Sequence, residues 1–383
     1  MSLFLVVFFL VYGGMHLYVF IRARAAMHLN ISASILTGLL MLFLCLTPLL
    51  IRTAERHGFD LIARLVSVFG YTWMGLLFFF CAASIPLDVW SIGTKIMSAV
   101  IRSDLSGFKP SAVMRFYLPF AVSVLIFLYG YFEARNIRTE HITIMTEKLP
   151  ASVNRLRIVQ ISDVHIGLIV RKYKLARMLK LVKEAGPDIL VSTGDLVDGQ
   201  INGLPGLAEM LASINPPYGK YAVSGNHEYY AGLGQAGRFI ENAGFRLLRN
   251  EGTAIPGVIN IAGVDDPTGT SQAISSTVHE KDLLSGLSPG LFTLFLKHRP
   301  LIENGSAGLF DLQLSGHVHK GQIFPFSMIT FFYYPVHAGL ADAGMGSKIY
   351  VSRGTGTWGP PIRVLSPPEV TVIDLVNGQG KGQ

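Results

Sequence analysis

Read only for hydrophobic and polar positions, the chain falls into two unlike parts. In the first third, apolar runs follow one another at roughly 3–21 ("LFLVVFFLVYGGMHLYVFI"), 31–51, 65–85 and 113–132. Each approaches the ~20 apolar residues that cross a bilayer as a helix. None carries Lys or an acidic residue, and Arg115 sits near an end, where a long cationic side chain reaches water. The pattern predicts a four-helix transmembrane region over residues 1–132. The first run lacks a basic leader and a small-x-small site before Arg22, so it reads as an uncleaved span.

Between the third and fourth runs the pattern becomes amphipathic. Asp88, Ser91, Lys95, Ser98, Arg102 and Lys109 recur on one helical face, and Trp90, Met97, Ile101 and Phe108 on the other. A separate interfacial helix over about 87–109, lying in the headgroup plane, is expected. Basic residues at the ends of the runs balance. Arg22, Arg24, Lys95, Arg102 and Lys109 oppose Arg52, Arg56, Arg64, Arg135 and Arg138, so the positive-inside rule assigns no side to the rest of the chain. The runs show no paired charges of the kind a transport pathway needs.

After a polar, basic stretch read as a linker over 133–154, short β-rich runs alternate with helical ones. "LRIVQISDVH", "DILVSTGD" and "YAVSGNHE" are each followed by a helical segment, near 172–185, 203–213 and 235–243. "INIAGVDD", "FTLFLKH", "LQLSGHVH", "KIYVSRG" and "VTVIDLV" come with fewer helices. This predicts an α/β layered domain over 155–383 with a second sheet in its later half.

Composition agrees with the division. Half of the 383 residues are hydrophobic and 15% are charged, against roughly 25% in soluble domains. The formal charge of +7 suits an anionic lipid surface or an anionic substrate. Basic residues interleaved with aromatics are missing, so no nucleic acid is expected. Both cysteines, Cys45 and Cys81, fall in the apolar runs, leaving the later domain neither a disulfide nor a thiolate metal site.

The β-rich runs share one feature: each ends on a polar, metal-capable side chain. Asp163 and His165 close "ISDVH", Asp195 closes "STGD", Asn226 and His227 close "SGNH", and His298 closes "LKH". His317 and His319 close "SGHVH". In an extended strand, residues two apart point to one side, which would aim both members of the D-x-H and H-x-H pairs at a common spot. Ligands in open α/β sheets gather at the carboxyl ends of strands. A set so rich in imidazole, without sulfur, suits Mn, Fe, Zn or a similar ion rather than Ca or Mg. It also offers more donors than one ion uses, as expected of a pair sharing a carboxylate.

In order, "DVH" (163–165), "GDLVD" (194–198), "GNHE" (225–228), His298 and "GHVH" (316–319) resemble the five blocks of the calcineurin-like metallophosphoesterases, over about residues 155–376. "GNHEYY", "GHVHKGQIFPF" and "SRGTGTWGPPIR" resemble the membrane-associated branch of that family. The resemblance implies a two-sheet α/β/β/α sandwich behind the transmembrane region, and two divalent transition-metal ions, manganese first and iron or zinc next. It implies that Asp163, His165 and His319 hold one ion, that Asn226, His298 and His317 hold the other, and that Asp195 bridges them. His227 would protonate the leaving oxygen or stabilise phosphate charge. Asp198 is expected to support ligands rather than to be one, and Lys297 to point away.

The implied activity is hydrolysis of a phosphodiester or phosphomonoester by a metal-bridged hydroxide, on a multi-pass protein of the cell membrane. Its expected partners are the lipid bilayer and a phosphoester substrate, lipid-linked or free. Two alternatives stand beside it: a nucleotide-lipid pyrophosphate hydrolase of envelope synthesis, and a catalytically silent membrane sensor or scaffold.

Overall fold

The structure, a computed structural model, describes residues 3–199, 204, 206–272 and 278–378. The Gly-rich tail past 378 and the start of the helix expected near 203–213 lie outside the described residues. The chain divides into two compact units, Met1–Phe132 with Gly359–Ile362, and Glu133–Trp358 with Arg363–Gln383.

The first unit is built from α1 (Leu3–Met27), α2 (Ile31–Arg56), α3 (Asp60–Ile101) and α4 (Ala112–Glu133). All four are long and apolar enough to cross a membrane. Large apolar side chains such as Leu36, Leu39 and Phe69 face outward, the arrangement a hydrocarbon surrounding favours. Polar groups turn inward. Trp73 Nε1 donates to His16 Nε2 at 2.9 Å, joining α3 to α1. Asp88 accepts from Tyr18 at 2.6 Å and pairs with Arg22, and Arg115 reaches it at 3.1 Å. These charges, Arg22 and Asp88 just past the apolar runs and Arg115 near the start of the fourth, pair across α1, α3 and α4.

Two boundaries differ from the sequence reading. The amphipathic stretch expected as a separate helix over 87–109 instead continues α3 as far as Ile101, followed by a 3-10 turn at Ser106–Phe108. Pro86 lies inside α3 without ending it; apolar helices tolerate proline where neighbours satisfy the freed backbone groups. Along this extension Ser91 is buried while Val89, Ile92, Ile96 and Val100 are exposed. The apolar face therefore looks outward. At ~1.5 Å per residue, α3 is roughly 63 Å long, about twice a ~30 Å hydrocarbon core.

The second boundary is the linker expected over 133–154. Within it, Arg138–Thr146 forms β1, paired residue by residue with the last strand. Of its nine residues Ile144 alone is buried, so an edge strand looks in sequence like a polar connector.

The second unit carries β1 (Arg138–Thr146), β2 (Arg155–Ile161), β3 (Ile189–Ser192), β4 (Lys220–Ala222), β5 (Arg246–Leu247) and β6 (Glu251–Ile255). It continues with β7 (Ile259–Gly263), β8 (Phe292–Leu296), β9 (Leu312–Ser315), β10 (Gly339–Gly344), β11 (Ser347–Val351) and β12 (Glu369–Asn377). Its helices are α5 (Lys172–Ala185), α6 (Leu207–Ala212), α7 (Asn226–Ala231), α8 (Leu233–Asn242), α9 (Pro267–Ser271), α10 (Glu280–Ser285) and α11 (Phe326–Tyr333). One mixed sheet runs β1-β12-β2-β3-β4-β5 and the other β10-β11-β9-β8-β7-β6.

Strand alternation builds the layers. On β2, Ile158 enters a core shared with Ile261, Leu294 and Leu314 of the second sheet. Its neighbour Val159 points the other way, to Met178, Val182 and Ile240 of α5 and α8. Leu284 of α10 covers the outer face of the second sheet at Phe295. The result is an α/β/β/α sandwich. Burying each such Leu or Ile contributes about 2 kcal/mol. Between the sheets, Gln160 Nε2 donates to Thr193 Oγ1 at 2.8 Å and to the Ser315 carbonyl at 3.1 Å. This tie lies just below the strand ends that carry the polar side chains.

Candidate metal centre

The loops that follow β2, β3, β4, β8 and β9 carry Asp163 and His165, Asp195, Asn226 and His227, His298, and His317 and His319, in that order. All of these except His317 are buried. The strands end earlier than the pattern suggested, at Ile161 and Ser315, so neither the D-x-H nor the H-x-H pair lies on extended backbone. Asp163 (φ 51°), His165 (φ 54°), Asp195 (φ 51°), His317 (φ 71°) and His319 (φ 47°) all adopt the left-handed conformation. For residues with a Cβ this costs free energy, and such outliers cluster at functional sites. Convergence here comes from tight turns rather than strand alternation.

Glycines let these turns pack together. A Cβ on Gly225 would overlap Asp195 Oδ1, and one on Gly194 (φ 92°) would lie 2.6 Å from His298 Nδ1. Glu228 holds the same loops from beneath. Its carboxylate accepts from the backbone N–H of Gly225 at 2.7 Å, Asp195 at 2.9 Å and Val197 at 3.2 Å. Asp163 in turn accepts from the His317 N–H at 2.9 Å, linking the two sheets across the site.

The side chains form three overlapping groups whose ligand atoms lie within 4.8 Å of one another: Asp163, His165 and His319; His165, Asp195 and His227; and Asp195, His298 and His317. Asp195 belongs to two of them. Its Oδ2 lies 3.2 Å from His298 Nε2 and 3.9 Å from His165 Nε2. His298 Nε2 is also 3.2 Å from His317 Nδ1 and 3.3 Å from Asn226 Oδ1. Its Nδ1 donates to the Thr193 carbonyl at 2.8 Å, which leaves a lone pair on Nε2 of the neutral ring. Asp195, Asn226 and His317 then aim further lone pairs at the same point. More acceptors converge than protons are at hand, and a cation resolves that imbalance. The donor set fits the divalent ions implied by the motifs.

Electrostatics point the same way. Burial opposes charge on His298, but Asp195, then Asp163 and Asp266, outweigh it and push the imidazole up to about 10. His227 is likewise raised to about 10, with burial opposed by Asp195 and Asp198. Burial and then His298 lower His317 to about 3, and burial and then Arg363 hold His319 well below an ordinary imidazole. The pocket demands positive charge at its centre and keeps two imidazoles neutral beside it.

His227 stands at the edge of the cluster. Its Nδ1 donates to the Asp198 carbonyl at 2.7 Å, and the Asp198 carboxylate lies 3.1 Å away. His165 Nδ1 is 3.4 Å from the same carboxylate. Asp198 thus holds His227 through its carbonyl and lies within ion-pair range of His165 without a hydrogen bond to its Nδ1. The exposed rings of Tyr230 and Trp358 flank His227, with centroids at 5.3 and 5.8 Å. Lys297 points away and pairs with Glu280.

Sequence reasoning overlooked three contributors. Glu228, given no role above, is fully buried beneath the loops. Arg363 is fully buried with its Nη2 3.0 Å from His319 Nδ1 and two donations to the Gly356 carbonyl. Asp266, after β7, is held by Arg299 at 2.8 Å and acts on His298 through its charge. The adjacency of Arg299 to His298 was the available signal for the last. Arg353 pairs with Glu369 at 2.6 Å and with Glu140, a structural role.

A centre assembled this way, at the strand ends of a two-sheet α/β sandwich, defines a metal-dependent phosphoester hydrolase. Residues 156–321 match the calcineurin-like phosphoesterase family. The chain is 40% identical over 262 residues to an uncharacterized metallophosphoesterase of Aquifex aeolicus (strain VF5), covering 68% of this chain and 99% of that one. It is 30% identical over 337 residues to a transmembrane protein with metallophosphoesterase domain of Bos taurus, covering 81% and 74%. A protein of the same description from Danio rerio is 32% identical over 272 residues, covering 67% and 62%. The chain belongs to the calcineurin-like metallophosphoesterases. It is a phosphoester hydrolase by family, and with its four apolar helices a membrane protein.

Proposed function

We propose that this protein is a multi-pass cell-membrane phosphoesterase with a two-ion centre, acting on a phosphodiester or phosphomonoester of a membrane- or envelope-associated substrate. The single observation that carries the reading is the shared position of Asp195 between two groups of donors, one with His165 and His227 and one with His298 and His317. Asp163, His165 and His319 would hold one divalent ion, and Asn226, His298 and His317 the other, manganese being the first choice for this nitrogen- and oxygen-rich set. When bound, such a pair supplies Lewis acidity that lowers the pKa of water and neutralises phosphoryl charge.

The chain's own residues do the rest. The Asp198 carbonyl accepts a hydrogen bond from His227 Nδ1–H, which leaves Nε2 as the atom that would deliver a proton to the leaving oxygen. Glu228 keeps the Asp195 and Asn226 loops in register. Tyr230 and Trp358 form an aromatic rim suited to the apolar part of an ester.

The test is hydrolysis by the full-length protein in nanodiscs, loaded with Mn, across a chromogenic diester, a chromogenic monoester, vesicle phospholipid and a nucleotide-lipid pyrophosphate. Chelator-sensitive turnover of at least one class is expected. Tight Mn binding without turnover of any would instead favour a silent sensor or scaffold.

A further inference from the structure

Directly after the His319–Gly321 turn, the catalytic unit carries a helix that no part of the site explains. In α11 the residues Phe326, Met328, Ile329, Phe331, Phe332 and Tyr333 are all exposed, Phe332 at 81%, and the helix has no buried residue. Its polar residues Ser327 and Thr330 lie on one half-buried face, so the apolar side chains look outward, and exposed apolar patches of this kind mark interaction surfaces.

α11 is anchored rather than loose. A Cβ on Gly321 would overlap the backbone of Ser327, so the helix rests on the metal-site turn. Tyr334, which ends it, is buried with its ring 5.9 Å from that of His317. The Gln322 side chain donates to the Trp358 carbonyl at 2.8 Å and accepts from its N–H at 2.9 Å, fixing an exposed tryptophan at the same base.

We infer that α11 inserts into the interfacial layer of a lipid bilayer beside the metal centre. Two observations select lipid as the occupant. The chain itself carries four helices of spanning length, so a bilayer is part of its surroundings. The segment from Leu312 to Ala341 also contains no Asp or Glu, while Lys320 precedes the helix and His337 follows it. Apolar side chains beside a lysine and away from carboxylates are what an anionic interface binds; His337, held below an ordinary imidazole by burial and then Lys320, adds no charge at neutral pH. This assignment adds to the phosphoesterase reading and stands without it.

The test uses the full-length protein with Cys45→Ala and Cys81→Ala, carrying an environment-sensitive fluorophore at Phe332→Cys, in phosphatidylethanolamine/phosphatidylglycerol nanodiscs. A second probe at Ile329→Cys guards against a local artefact, and Glu241→Cys on exposed α8 is the reference. Lipid-borne nitroxide should quench both α11 probes at least about two-fold more than the reference, and aqueous iodide at least about two-fold less. Iodide access equal to that at position 241 would overturn the inference. Shielding from both quenchers would overturn it too, since protein would then cover the helix. Neither readout depends on catalysis.

Discussion

At the scale of single residues, the proposed reading separates side chains that hold charge in place from one that moves a proton, and it puts His227 in the second class. Its Nδ1 proton is committed to the Asp198 carbonyl, and Asp195 accepts from its backbone N–H rather than from its ring. His227→Ala should therefore keep bound metal and lose turnover by about 10²–10³-fold on an ester with a poor leaving group. The loss on a nitrophenyl ester should be smaller, because that leaving group needs no proton. Metal content and rate ratios on the two esters check this, and an equal loss on both would remove His227 from the acid role. His298, by contrast, is encircled by acceptors, and replacing it would leave Asp195 and Asn226 without a common partner.

At the scale of elements, the decisive devices are left-handed turns and glycine contacts at strand ends. Gly225→Ala should lower metal content and activity together, because its Cβ would displace Asp195; an alanine variant that keeps full metal content would contradict the packing described here. These same devices mark what could be read from sequence. The β-rich runs, α5 and the five polar strand ends were legible, because alternating burial and terminal Asp, Asn and His leave a local pattern. The turns themselves were not, since φ is written in Asp163 and His165 only through the packing around them. β1 escaped because an edge strand with one buried residue resembles a polar connector. The extension of α3 escaped because the new polarity suggested a separate helix, although Ser91 turns inward and the backbone stays helical to Ile101. Glu228 and Arg363 were ambiguous because burial of a charge depends on partners far along the chain.

At the scale of the whole molecule, a buried excess of acceptors makes stability depend on what fills the centre. In the chelated protein, burial disfavours the charged forms of His227 and His298, yet the neighbouring carboxylates raise both to about 10. Their unfolded values lie near 6.5. The stabilisation from these protons is thus complete below about pH 6.5 and is lost as pH climbs through about 10. Thermal unfolding of chelated protein should show a midpoint that falls across this window, while Mn-loaded protein changes less. Parallel curves would contradict that expectation. The central claim is that Asp195 serves two ions at once, and it is tested most directly by counting metal in purified wild type and Asp195→Asn while assaying the same preparations for phosphoester hydrolysis. The account predicts close to two ions per wild-type chain, and loss of both metal and turnover in the variant. A variant that retains two ions and its rate would contradict it.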